Sequence, residues 1–99
     1  MRPTELIGVV EQHLARDPQV SSGATHLYLV LRQEAVGDAP TWTADAKLAA
    51  LTDSTASAND EWCGELEWSG VIVRAWDAQA HRQVRLADAA ELKEHRITA

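Results

Sequence analysis

The sequence contains no phenylalanine and a single tyrosine, so four tryptophans supply nearly all of its aromatic bulk. It has one cysteine, Cys63. A lone cysteine excludes an internal disulfide and fits a reducing compartment, so a cytoplasmic location is expected. Its surroundings read as those of a small core residue, not of a reactive thiol. Long apolar runs are absent too. The longest, around Leu27–Leu31, falls far short of the roughly 18 residues that a membrane span needs. Only one basic residue stands in Met1-Arg2-Pro3-Thr4-Glu5, and Glu11 and His13 interrupt the apolar stretch that follows, so no signal peptide is expected. The four histidines, His13, His26, His81 and His95, are scattered and keep no metal-ligand spacing. There is no glycine-rich phosphate loop and no Gly-x-Ser-x-Gly nucleophile motif. The expectation is therefore a protein without metal or cofactor, and not an enzyme.

Positive charge is also scarce. Nine Lys and Arg stand against fifteen Asp and Glu, for a net charge of −6. Proteins that bind nucleic acid draw most of their affinity from neutralising phosphates, so this sign argues against simple, strong DNA binding. The 99 residues suffice for one domain, 1–99, with a modest core.

Residues 4–17 read as an amphipathic helix. Leu6, Ile7, Val9, Val10 and Leu14 recur at spacings of three and four, Thr4 is a suitable N-cap, and Pro18 follows as a stop. The run 24–34 is ambiguous. Leu27, Leu29 and Leu31 alternate like a strand, whereas Leu27, Val30, Leu31 and Glu34 fit a helix; length and context favour the helix. Gly37, Asp38 and Pro40 break it. Thr41-Trp42-Thr43 is β-prone, and Thr43 can cap an alanine-rich helix from Ala44 to about Leu51. A polar turn, Thr52–Thr55, leads to a second helix from about Ala56 to Ser69, and Gly70 sits where helices commonly end. These residues, 44–69, have the layout of a helix-turn-helix. Val71–Trp76 and Arg82–Leu86 read as two strands of a hairpin over 71–86. Asp88-Ala89-Ala90-Glu91 has capping-box spacing and opens a short helix over 88–96. The fold class is α+β, mostly helical.

Two helices joined by a polar turn and followed by a hairpin give the order of a winged helix. The stretch LAALTDSTASANDEWCGELEWSGVIVR, from Leu48, resembles winged helix-turn-helix regulators of the MarR and GntR kind. Their pattern, L-A-x-x-T-G-x-S-x-x-T-V-x-R-x-L-x-x-L-x-x-x-G-L-I, can be laid on Leu48 to Ile72 without a gap. Leu48, Ala49, Thr52, Thr55, Cys63, Leu66, Gly70, Val71 and Ile72 fall on its structural positions. The resemblance covers residues 48–86 and implies a winged helix-turn-helix with an extra N-terminal helix and a short C-terminal one. It also implies a small transcriptional or mobile-element regulator that binds double-stranded DNA. In such proteins the recognition helix enters the major groove. On that reading Thr55, Ser57, Asn59 and Glu61 face the bases, unless Asn59 caps or faces the core. Arg74, His81, Arg82 and Arg85 of the wing hold the backbone or a minor groove. The N- and C-terminal helices can pair two protomers.

The departures point elsewhere. The turn glycine of the pattern is Asp53, its buried valine is Asn59, its DNA-facing threonine is Ala58 and its DNA-facing arginine is Glu61. Residues 48–70 hold Asp53, Asp60, Glu61, Glu65 and Glu67 and no Lys or Arg, so most of the net charge lies in the helix-turn-helix itself. The alternative is a protein-interaction module, or a small inhibitor with a DNA-like surface. In it Asp60, Glu61 and Glu65, with Trp62 and Trp68, dock a basic protein partner. Trp42 and Trp76, on strand-like segments, read as core or hairpin packing.

Overall fold

Local signals set most element boundaries. A computed structural model describes residues 3–34 and 41–97, with side chains from Gly8 onward. The elements are α1 (Pro3–Arg16), α2 (Ser22–Glu34), β1 (Thr43–Ala44), α3 (Asp45–Leu51), α4 (Ala56–Ser69), β2 (Ile72–Trp76), β3 (Arg82–Leu86) and α5 (Ala89–Glu94). The Thr55 hydroxyl accepts the Ala58 N–H at 3.0 Å and caps α4. Gly70 ends α4 in the left-handed conformation, φ +86, where a side chain would also collide with the His95 ring. Asp88 and Glu91 complete both arms of the expected capping box on α5.

Three boundaries differ from expectation. Thr4 lies inside α1, which begins at Pro3, a residue whose fixed φ suits a first helical turn. Thr43 does not cap α3. It is buried in β1, and the capping position falls on Ala44, whose side chain makes no capping bond. In α2, Ala24, Leu27, Tyr28 and Leu31 are all buried, which is helical spacing and settles the ambiguous run. Leu6, Ile7, Gly37, Asp38 and Pro40 lie outside the described side chains and residues.

The sheet is antiparallel in the order β1-β3-β2. Thr43 pairs with Val84 and Ile72 with Leu86, out to Trp76 opposite Arg82. The order α2-β1-α3-α4-β2-β3 is a winged-helix-like arrangement, with α1 and α5 added at the ends. Asp53, on the turn glycine of the pattern, has φ +50. The turn thus keeps its left-handed residue, and Asp is among the few residues that tolerate it. Leu27, Leu31, Leu48, Cys63, Leu66, Val71, Val84 and Leu92 form the fully buried core, between α2, α3, α4 and the sheet. Trp62 packs against it and lies over Gly23 so closely that no side chain fits at 23.

Helix α1 is fastened by a polar clasp. His13 Nε2 donates to the Ser69 carbonyl at 3.1 Å and to Ser69 Oγ at 3.0 Å, and Ser69 Oγ donates to Asp17 Oδ2 at 2.8 Å. The Asp17 carboxyl is held below its usual range, chiefly by the Gln19 N–H and then by the Ser69 hydroxyl. An Arg32–Glu11 ion pair ties α1 to α2 as well. Among the described residues, no helix is long and apolar enough to cross a membrane.

Candidate interaction face on helix α4

Four sides of α4 do four different jobs. Asn59, Cys63, Leu66 and Ser69 face the core. Asp60 and Glu67 face the hairpin, where they meet arginines. Trp62 and Glu65 face α2. Ser57, Glu61, Gly64 and Trp68 recur at intervals of four, three and four, and form the outward ridge. Trp68 is 81% exposed.

The side facing the hairpin neutralises the cations that the sequence offers to DNA. Arg74 and Arg82 are on the helix-facing side of the sheet, because they share the parity of Ile72 and Val84. Both reach Asp60 Oδ1, Arg74 at 3.0 Å and Arg82 at 2.6 Å. Arg74 Nε also lies 3.5 Å from Glu67 Oε1, and its side chain is only 14% exposed. Arg82 lies over the Trp76 ring, 4.6 Å from the centroid. The Arg74 hydrogen bond is the main reason that the Asp60 carboxyl titrates below its usual range. Burial works against the Arg74 charge, but Asp60 and Glu67 raise its pKa overall.

Arg85 is on the opposite side of the sheet. It makes a bidentate pair with Glu91, at 2.5 and 2.9 Å, and stacks over Trp42 at 5.1 Å. Its hydrogen bonds lower the Glu91 pKa, and Glu91 in turn raises that of Arg85. Trp42 and Trp76 therefore serve the hairpin and not the core. They are 42% and 63% exposed, and each carries an arginine. His81 is exposed at the hairpin tip, with its Nδ1 3.8 Å from Asp77 Oδ2.

Several candidate residues thus have structural duties. Thr55 caps α4. Asn59 is 2% exposed and cannot reach a base. It stands with Cys63 and Leu66 on the core side, where the winged-helix pattern has valine; Nδ2 bonds Cys63 Sγ at 3.8 Å, and Oδ1 has no partner among the described residues. Glu65 accepts the Ser21 N–H at 2.7 Å and the Ser21 hydroxyl at 3.3 Å, at the start of α2. Trp62 is packing. Ser57, Glu61 and Trp68 remain on the open ridge, and Glu61 has no ion-pair partner among the described residues. Sequence reasoning missed the pairing of Asp60 with Arg74 and Arg82, which depends on hairpin register and has no local signal. It also missed Gly64, whose i, i+4 relation to Trp68 was readable.

Chemistry is limited here. Burial, with the nearby Asp45 charge, pushes the Cys63 thiol up to about 12, far from a nucleophile. Ser69, His13 and Asp17 meet, but in the wrong order for acyl transfer. The hydroxyl proton goes to Asp17, and His13 Nε2 must donate to the Ser69 carbonyl. Among the described residues, no group of three or more His, Cys, Asp or Glu could hold a metal. Neither a protein-family model nor a curated protein matches the chain.

The orphaned Asn59 Oδ1 carries a prediction of unusual sign. A buried polar group without a hydrogen bond costs about 1–3 kcal/mol. Leucine keeps the same branched heavy-atom skeleton, with bulkier methyl ends and no such group, and the lost bond to Cys63 Sγ is long. Asn59→Leu is therefore expected to raise the melting temperature by about 4–8 °C, roughly 1 kcal/mol for a domain this size. A thermal melt followed by circular dichroism checks it; a lower melting temperature would show that Asn59 is stabilising where it stands.

Proposed function

We propose that this chain is a non-catalytic interaction module whose α4 ridge binds a basic protein partner. One observation carries the reading. Arg74, Arg82 and Arg85 are each ion-paired within the chain, while the ridge presents Glu61 and Trp68. Duplex DNA would have to take the arginines from Asp60 and Glu91, and would meet Glu61 where the winged-helix pattern has arginine. A basic protein meets complementary charge and an exposed indole, a side chain enriched among the residues that dominate protein interfaces.

The resemblance to MarR-like and GntR-like regulators supports the other reading, DNA binding, through fold alone. Folds host many functions, so the site decides between them. Two titrations separate the readings. A fluorescently labelled random-sequence duplex is titrated at low salt, and a ¹⁵N-labelled sample is titrated with an oligolysine peptide. The expected result is no saturable duplex binding, with peptide-induced shifts at the amides of Ser57, Glu61, Gly64 and Trp68. Saturable, salt-sensitive duplex binding that shifts the Arg82 and Arg85 amides would overturn the proposal and restore the DNA reading.

A further inference from the structure

Gly64 is a glycine that the chain's own packing does not require. The other glycines near α4 have reasons: Gly23 accommodates the Trp62 indole, and Gly70 takes a positive φ beneath His95. At Gly64 an added Cβ would meet nothing within 4 Å, and the residue lies in the interior of a 14-residue helix. Glycine there makes the helix less stable than alanine would, by about 0.5–1 kcal/mol. Gly8 in α1 is equally open. What distinguishes Gly64 is its neighbour. Trp68 follows one turn later, and the two residues line the same depression.

Gly64, Glu67, Trp68 and His95 line one shallow, open depression. Its lining combines a glycine, an indole, a carboxylate and an imidazole. The one ion pair that Glu67 makes among the described residues uses Oε1, at 3.5 Å from Arg74. No Lys or Arg occurs between Leu48 and Gly70. A flat cation fits this set best. Guanidinium stacks on an aromatic face and pairs with a carboxylate through its planar fork, whereas ammonium is a compact, strongly hydrated point charge.

We infer that the depression between Gly64 and Trp68 receives an arginine side chain of the protein partner, with Glu67 as its counter-charge. The missing Cβ lets the guanidinium slide between the backbone and the indole. This rests on the reading of α4 as the binding ridge, and the test keeps the two apart.

The probes are two peptides of equal length and charge, one alternating arginine with glycine and the other lysine with glycine. They are titrated into the full chain and into Gly64→Ala and Trp68→Ala, with amide shifts and tryptophan fluorescence as readouts. The arginine peptide is expected to bind the parent about fivefold to tenfold tighter than the lysine peptide. Gly64→Ala should raise the melting temperature by a few degrees, about the helix-propensity difference. It should also weaken arginine-peptide binding about tenfold and bring it level with lysine. A glycine with only a structural role would not move the two readouts in opposite directions. If both peptides shift α4 amides but bind equally, or if Gly64→Ala leaves binding unchanged, the arginine slot is wrong and the ridge stands. If neither peptide shifts α4 amides, both proposals fall.

Discussion

Leu66→Ala will strip the domain of about 3 kcal/mol, within the 2–5 kcal/mol range for truncating a buried leucine. Leu66 is fully buried on the inner side of α4, in the single core shared by α2, α3, α4 and the sheet. A small domain has few such residues, and its total stability is of order 5–15 kcal/mol. The loss should appear as a fall of about 12–24 °C in melting temperature, at about 4–8 °C per kcal/mol. Trp68→Ala, two residues along the same helix, should change stability by less than about 0.5 kcal/mol, because its side chain lies in solvent. Urea unfolding of both variants measures the contrast. Equal losses would mean that Trp68 is covered within the folded chain, and the outward ridge would lose its anchor.

On the proposed reading, the pair Asp60→Asn with Glu67→Gln should create duplex binding that the parent lacks. Both substitutions keep side-chain size and remove a negative charge, taking the net charge from −6 to −4. Arg74 and Arg82 then lose their carboxylate partners on α4. Arg82, the more exposed of the two and near the His81 tip, can then engage a phosphate backbone. The expected affinity is that of non-specific binding, a Kd of about 10⁻⁴ to 10⁻⁵ M, weakening steeply with added salt. Anisotropy with a labelled random duplex reads it. No gain at low salt would show that the hairpin cannot grip DNA even when its arginines are released. Duplex binding by the parent at the same strength would show that the internal pairs never masked them.

The sequence made legible what depends on neighbours along the chain. Thr55, Gly70 and the Asp88–Glu91 box each act within one helical turn, and all three occur where the residue types suggested. The order of elements was readable for the same reason, since a 3.6-residue period and an apolar β-prone run are local patterns. Thr43 misled because a β-prone threonine before an alanine-rich helix suits either a cap or a strand, and pairing with Val84 took it into the sheet. Asn59, polar and near the start of a recognition helix, suits either an exposed face or the core, and its helical phase with Cys63 and Leu66 turns it inward. Trp42 and Trp76, indoles on strand-like segments, suit either core or hairpin packing, and the structure takes the second, with an arginine on each. The charge pairing was the least legible part. Asp60 lies 14 residues from Arg74 and 22 from Arg82, and only the hairpin register brings the three together.

That junction has a mechanical consequence. Arg74 comes from β2 and Arg82 from β3, and both end on one carboxylate of α4. The hairpin is therefore cross-braced to the helix by both of its strands. If α4 binds a partner as proposed, this bracing limits how much of the hairpin has to order on association. Pre-organisation of this kind reduces the conformational entropy lost on association. On the proposed reading, the two arginines would serve binding through the scaffold, without touching the partner.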